Sequence, residues 1–242
     1  MSGSPPTPSP SVPPRLPAMQ FWGLCFIVYM VMQFPLVRLP VLFLSTWAHE
    51  FGHGLGAIIT GGEFIELTVF PDFSGVALTA TSSGFSRAMV VVFGLLGPSL
   101  FGVLMIVMTR AFSFYRSAIL VLAGLLALSL IWAADGFTMT TLGAGAVIMG
   151  LIGWKLPRRA LQYIAYIVAI AMCLTALSGF SYFFIGNAEV AGDYYRSDTG
   201  ILADIWGGPH WLWGGLLTLL SIIILFAGVF LSDRWARGRS TQ

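Results

Sequence analysis

With 242 residues, 57% of them hydrophobic and only 9% charged, and a mean hydropathy of +0.87, the chain carries far more apolar surface than a soluble core of this size can bury. Its net charge of +2 comes from twelve Lys/Arg residues spread over separate segments, which excludes a concentrated nucleic-acid-binding patch. The composition is that of a polytopic membrane protein.

Residues 1–18 hold seven prolines together with serines, a composition that cannot bury enough surface to fold, and are expected to form a disordered tail. Apolar runs then follow at about 21–37, 41–60, 88–109, 117–134, 137–154, 160–185 and 211–231. Most are long enough to cross a hydrocarbon layer of ~30 Å as helices. The first, "FWGLCFIVYMVMQFPLV", is short and ends near Pro35. Transmembrane strands are excluded, because they would appear as ~10-residue segments of alternating polarity. The predicted fold class is therefore an all-α polytopic membrane protein with six or seven transmembrane helices. The expected organisation is a tail over 1–18, a membrane domain over 19–235 and a cytoplasmic tail over 236–242. Cys25 and Cys173 both lie in apolar runs and read as small hydrophobes.

Charge gives the orientation. With seven crossings, nine basic residues (Arg38, Arg110, Arg116, Lys155, Arg158, Arg159, Arg234, Arg237 and Arg239) fall on one face and three (Arg15, Arg87 and Arg196) on the other. The richer face is assigned to the cytoplasm and the lipid bilayer to the cell membrane.

The second run carries "TWAHEFGHGLGAIITGG" at 46–62, in which His49, Glu50 and His53 form H-E-x-x-H. At about 100° per helical residue, positions i and i+4 share a face, so both imidazoles can reach one metal ion. Glu50 projects toward the flank of that ion, placed to take a proton from a water there and pass it to a leaving amine. Only three His and four Glu occur in the chain, so chance assembly of the pattern has a probability on the order of one in a thousand. An ionised carboxylate at mid-membrane also costs ~2.5–3.5 kcal/mol on insertion scales, so it needs a partner or a function. Gly52, Gly54 and Gly56 thin one side of this helix for a close neighbour, and Gly61-Gly62 can end it.

Residues 63–81 alternate as "EFIELTVF" and "GVALTAT" around Pro71-Asp72 and Gly75, which predicts a short β-hairpin after the H-E-x-x-H helix. In "FGLLGPSLFG" at 93–102, Gly94, Gly97 and Gly102 suit close helix packing. Asp135-Gly136 sits where a turn is needed between two apolar runs. Asn187, the only asparagine, suits an oxyanion contact or a helix cap. Asp198, in "RSDTGILA", reads either as a metal ligand or as the N-cap of a short helix over 199–205. His210 lies among Trp206, Trp211 and Trp213, an interfacial aromatic setting.

Taken together, "HEFGHGLGAIITGG", "FIELTVFPDFSGVALT", "FGLLGPSLFG" and "RSDTGILADIWGGP" make the chain resemble the site-2-protease-type zinc metallopeptidases, specifically the small bacterial members without a PDZ domain. The resemblance implies a Zn2+ ion held within the bilayer by His49, His53 and an Asp, with Glu50 as general base. It implies cleavage of membrane-protein substrates in or near their transmembrane segments. Two histidines leave a catalytic zinc one protein ligand short, and the third is expected to be Asp198, with Asp135 as the alternative. Asp198 matches the Ser-Asp element of the small subgroup, whereas Asp135-Gly136 matches the Asp-Gly of the larger relatives. The hairpin would lie beside the site and pair with an unwound substrate strand. The competing functions are a non-catalytic metal-binding membrane protein and a proton or metal transporter that uses the same three side chains as a relay.

Overall fold

The computed structural model describes residues 16–190 and 192–239, so most of the expected N-terminal tail and residues 240–242 lie outside the described residues. Helix α1 (Ala18–Val31) leads into α2 (Pro35–Ile59), and the hairpin β1 (Glu63–Val69) and β2 (Gly75–Ala80) follows. Three long helices, α3 (Phe85–Arg110), α4 (Tyr115–Ser129) and α5 (Gly136–Lys155), then run to α6 (Arg158–Ser178). A second hairpin, β3 (Asn187–Val190) and β4 (Asp193–Arg196), precedes the short α7 (Asp198–Trp206) and the final α8 (His210–Arg239).

Five stretches are long and apolar enough to cross a membrane, and the α1–α2 pair makes six when it is counted as one broken span. The first two apolar runs are thus not two independent crossings: their helices meet at a bend of 107°. The cause is local. Phe34 precedes Pro35, whose ring disfavours the helical region for the residue before it, and Phe34 takes an extended conformation (φ −84°, ψ 119°). Pro35 then starts the new helix at the position where a missing N–H does no harm.

The ends of the bundle are fastened differently. At one end Arg110 of α3 pairs with Asp233 of α8 and lies 4.2 Å from the centre of the Phe21 ring. There Arg116 also donates to the carbonyls of Gly153, Trp154 and Leu156, which the α5 helix leaves unsatisfied. The opposite end carries both hairpins and α7.

The first hairpin forms where the alternation predicts it. Its register runs from Glu63 opposite Ala80 to Val69 opposite Gly75, with an irregularity between Phe64 and Glu66. Asp72 closes the turn by accepting from Ser74 N (2.9 Å) and Ser74 Oγ (2.7 Å). The outer edge of β1 is already occupied: Ala134 N donates to Leu67 O (3.0 Å), and Val69 N donates to the Thr138 hydroxyl (3.0 Å). The outer edge of β2 pairs with no other strand among the described residues. The second hairpin was not foreseen from the sequence.

Helices α2 and α3 approach so closely that glycine is required on both. A Cβ on Gly52 would overlap the Phe93 carbonyl, and one on Gly97 would overlap that of Ala48. Trp47, fully buried, donates from its indole N–H to Ser129 Oγ (2.8 Å) and so ties α2 to α4.

Candidate metal centre

The helical period of α2 puts His49 and His53 one turn apart, and their Nε2 atoms lie 3.1 Å from each other. Asp198, from the first turn of α7, brings its Oδ2 to 3.1 Å from His49 Nε2 and 3.4 Å from His53 Nε2. Ligand atoms held ~2.0–2.1 Å from a tetrahedral zinc lie about 3.3 Å apart, so the triangle has the size such an ion needs.

The proton inventory points the same way. The Val90 carbonyl can only accept, so the His53 Nδ1–H must donate to it (3.0 Å), which leaves Nε2 of the neutral ring with a bare lone pair facing the centre. Asp198 Oδ2 is buried and accepts no hydrogen bond. Lone pairs converging in a site where His53 and Asp198 are each only 8% exposed repel one another unless a proton or a metal cation lies between them. A ring nitrogen bonded to a backbone carbonyl behind a donor face is also how ligating histidines are oriented. Among the described residues, these three are the group of His, Cys, Asp and Glu side chains able to hold a metal ion.

Asp198 is delivered by its neighbours. Ser197, not Asp198, is the N-cap of α7 and accepts from Gly200 N (3.1 Å), because the cap oxygen reaches back to the third helical N–H. That leaves the Asp198 carboxylate free to turn inward. Ser197 and Thr199 both donate to the Ile185 carbonyl, and Arg196 grips Asp204 with two nitrogens at 2.9 and 2.7 Å, which holds the Asp204 carboxyl below its ordinary range.

Asp135 is not brought to the cluster. It caps α5, accepting from Thr138 N (2.8 Å) and the Thr138 hydroxyl (2.9 Å), and the backbone N–H of Thr138 holds its carboxyl below the usual carboxylate range. Asn187 opens β3 and is exposed, outside the cavity lining, while His210 begins α8 with its Nε2 on the Phe184 carbonyl (3.1 Å).

Glu50 is 5% exposed and packs under the start of β2, where a Cβ on Gly75 would come within 2.9 Å of its Oε1. The Thr46 hydroxyl donates to the Phe73 carbonyl (2.6 Å) and fastens the hairpin turn over this part of α2. Cavities of about 340 and 630 Å³ open on the two sides of the centre and share His49, Glu50, Gly75, Tyr182 and Ala188 in their walls. The larger one follows β2 continuously from Gly75 to Thr81. The arrangement is a cleft that can hold an extended chain past a carboxylate and a three-atom cation site.

Gly94 of α3 is part of the same construction, since a Cβ there would overlap the His53 ring. Gly94→Ala should therefore displace His53 and weaken zinc binding by about 10–100-fold, the scale seen when a ligand's support is disturbed. Gly150→Ala, in open space on α5, should leave zinc binding unchanged. Titration against a chromogenic chelator distinguishes the two, and equal affinities would contradict the packing argument.

A family model described as Peptidase M50B-like matches residues 21–228. Neither the curated proteins nor the solved structures give a match.

Proposed function

The chain belongs to the Peptidase M50B-like family, membrane metallopeptidases of the site-2-protease type, and on that premise we propose that it is an intramembrane zinc endopeptidase. The observation that carries this reading is the triangle of His49 Nε2, His53 Nε2 and Asp198 Oδ2, with sides of 3.1, 3.1 and 3.4 Å, beside the buried Glu50. Its substrates are membrane proteins cut in or near a transmembrane segment, and its setting is the cell membrane.

In this reading His49, His53 and Asp198 hold the zinc ion, and the Val90 carbonyl keeps His53 in the tautomer that can bind. Zinc, when bound, supplies Lewis acidity that polarises a carbonyl and makes water acidic near neutral pH. Glu50 takes the proton of the attacking water and delivers it to the leaving nitrogen. The free edge of β2 holds the unwound substrate as an added strand, with its backbone groups paired to those of Gly75–Ala80.

The test is metal removal. Protein purified in detergent should carry about one zinc per chain and cut a single-span model substrate. Stripping with a chelator should abolish the cutting, and zinc should restore it. Undiminished cutting by verified metal-free protein would refute the reading.

A further inference from the structure

Tyr182 stands where the two halves of the cleft meet, and none of the roles above uses it. It lies in the 3-10 turn Gly179–Phe184 that follows α6. Its ring meets His49 edge-on, with centroids 6.0 Å apart and planes at 89°. It shares the wall of the larger cavity with Asp198. Of the five residues that wall both cavities, His49 and Glu50 already have roles, and Gly75 and Ala188 offer no side-chain proton. Among them Tyr182 alone brings an O–H.

The turn that carries Tyr182 is held from outside. The Phe184 carbonyl accepts from His210 Nε2, and the Ile185 carbonyl accepts from the hydroxyls of Ser197 and Thr199. Gly214 of α8 lies so close to the Phe183 carbonyl that a Cβ would overlap it. A donor fixed in this way is already in position when charge develops, and such preorganised donors are the ones that lower a barrier.

We propose that Tyr182 is a catalytic residue whose hydroxyl donates a hydrogen bond to the scissile carbonyl oxygen as that oxygen gains negative charge. The inference rests on the peptidase reading above. In the step it serves, the water oxygen bonds to the carbonyl carbon, the C=O π pair moves onto the carbonyl oxygen, and the water proton goes to Glu50. On collapse the C=O bond re-forms, the C–N bond breaks, and the nitrogen takes the proton from Glu50. Tyr182 gives up no proton in either step. Its hydrogen bond is stronger to the charged oxygen than to the neutral carbonyl, so it acts on the transition state and not on substrate affinity.

The alternative use of the same hydroxyl is to steady Asp198, which would make Tyr182 a positioning residue acting through the metal site. Tyr182→Phe separates the two, because it removes only the hydroxyl. Three quantities are measured on detergent-purified full-length protein: zinc affinity, affinity for a phosphinic peptide that carries a charged tetrahedral centre, and kcat and KM on a single-span model substrate. The expected result is unchanged zinc affinity, phosphinic-peptide binding weakened by about 10–100-fold, and kcat lowered by about 10²–10³-fold at unchanged KM. Weakened zinc binding with kcat restored at saturating zinc would overturn the proposal in favour of the positioning role. Unchanged kcat and unchanged phosphinic-peptide binding would overturn it outright. If the wild type neither held zinc nor cut any membrane substrate, the peptidase reading itself would fall, an outcome distinct from both.

Discussion

Glu50→Gln should keep its zinc and lose peptide cleavage by about 10²–10⁴-fold, the contribution expected of a positioned general base. The amide preserves the shape of a side chain that is 5% exposed and wedged beneath Gly75, so the helix and hairpin have no reason to move. What it cannot do is accept a proton from water. Removing this carboxylate from a largely buried position also removes a group that is costly to keep charged there, so the variant should be at least as stable as the wild type. The comparison is of zinc content, thermal unfolding and single-turnover cleavage for the two proteins side by side. Full turnover by Glu50→Gln would eliminate the peptidase mechanism. Loss of zinc together with activity would show that Glu50 serves the metal site and not the water.

Asp198→Ala and Asp135→Ala should fail in different ways. Asp198 offers a buried oxygen to two imidazole nitrogens at 3.1 and 3.4 Å, so its removal should cost zinc affinity by more than the ~10–100-fold of an outer-shell change. Asp135 spends its carboxylate on its own helix, on Thr138 N and the Thr138 hydroxyl. Removing it should lower stability by ~1 kcal/mol, as the loss of an N-cap does, and leave zinc in place. Metal analysis with thermal unfolding of each variant resolves the pair. Zinc lost in Asp135→Ala and kept in Asp198→Ala would reverse the assignment of the third ligand.

The sequence goes furthest where one local period governs the outcome. Two histidines four residues apart on a helix must share a face, and "EFIELTVF" followed by "GVALTAT" around Pro71-Asp72 has little choice but to turn back on itself. The glycines of "FGLLGPSLFG" read correctly as packing residues, yet only the fold reveals that Gly94 presses on the His53 ring. Asp198 and Asp135 are harder to tell apart, because both lie on the same side of the bundle and both begin helices. What separates them is whether a neighbouring hydroxyl takes over the cap, as Ser197 does for α7 and no residue does for α5. The 107° bend escapes a hydropathy reading, since Gln33 is the single polar residue between two apolar stretches and Pro35, which makes the break, does not reveal the angle. The second hairpin escapes as well: its strands are four residues each, too short for alternation to register. Tyr182 carries no signal in "GFSYFFIG", where an aromatic among aromatics marks only an apolar segment.

The triangle of His49, His53 and Asp198 joins the second helix to the seventh, across a span of 149 positions between its first and last members. During synthesis the early helices enter the membrane while the ribosome is still adding the later ones, and at that stage the two imidazoles have no third partner. On this assignment a half-made chain is inert, and so is a fragment truncated before residue 198. On the peptidase reading, hydrolytic power arrives only once α7 has been made, so a chain that stops short of it poses no danger to the membrane that receives it.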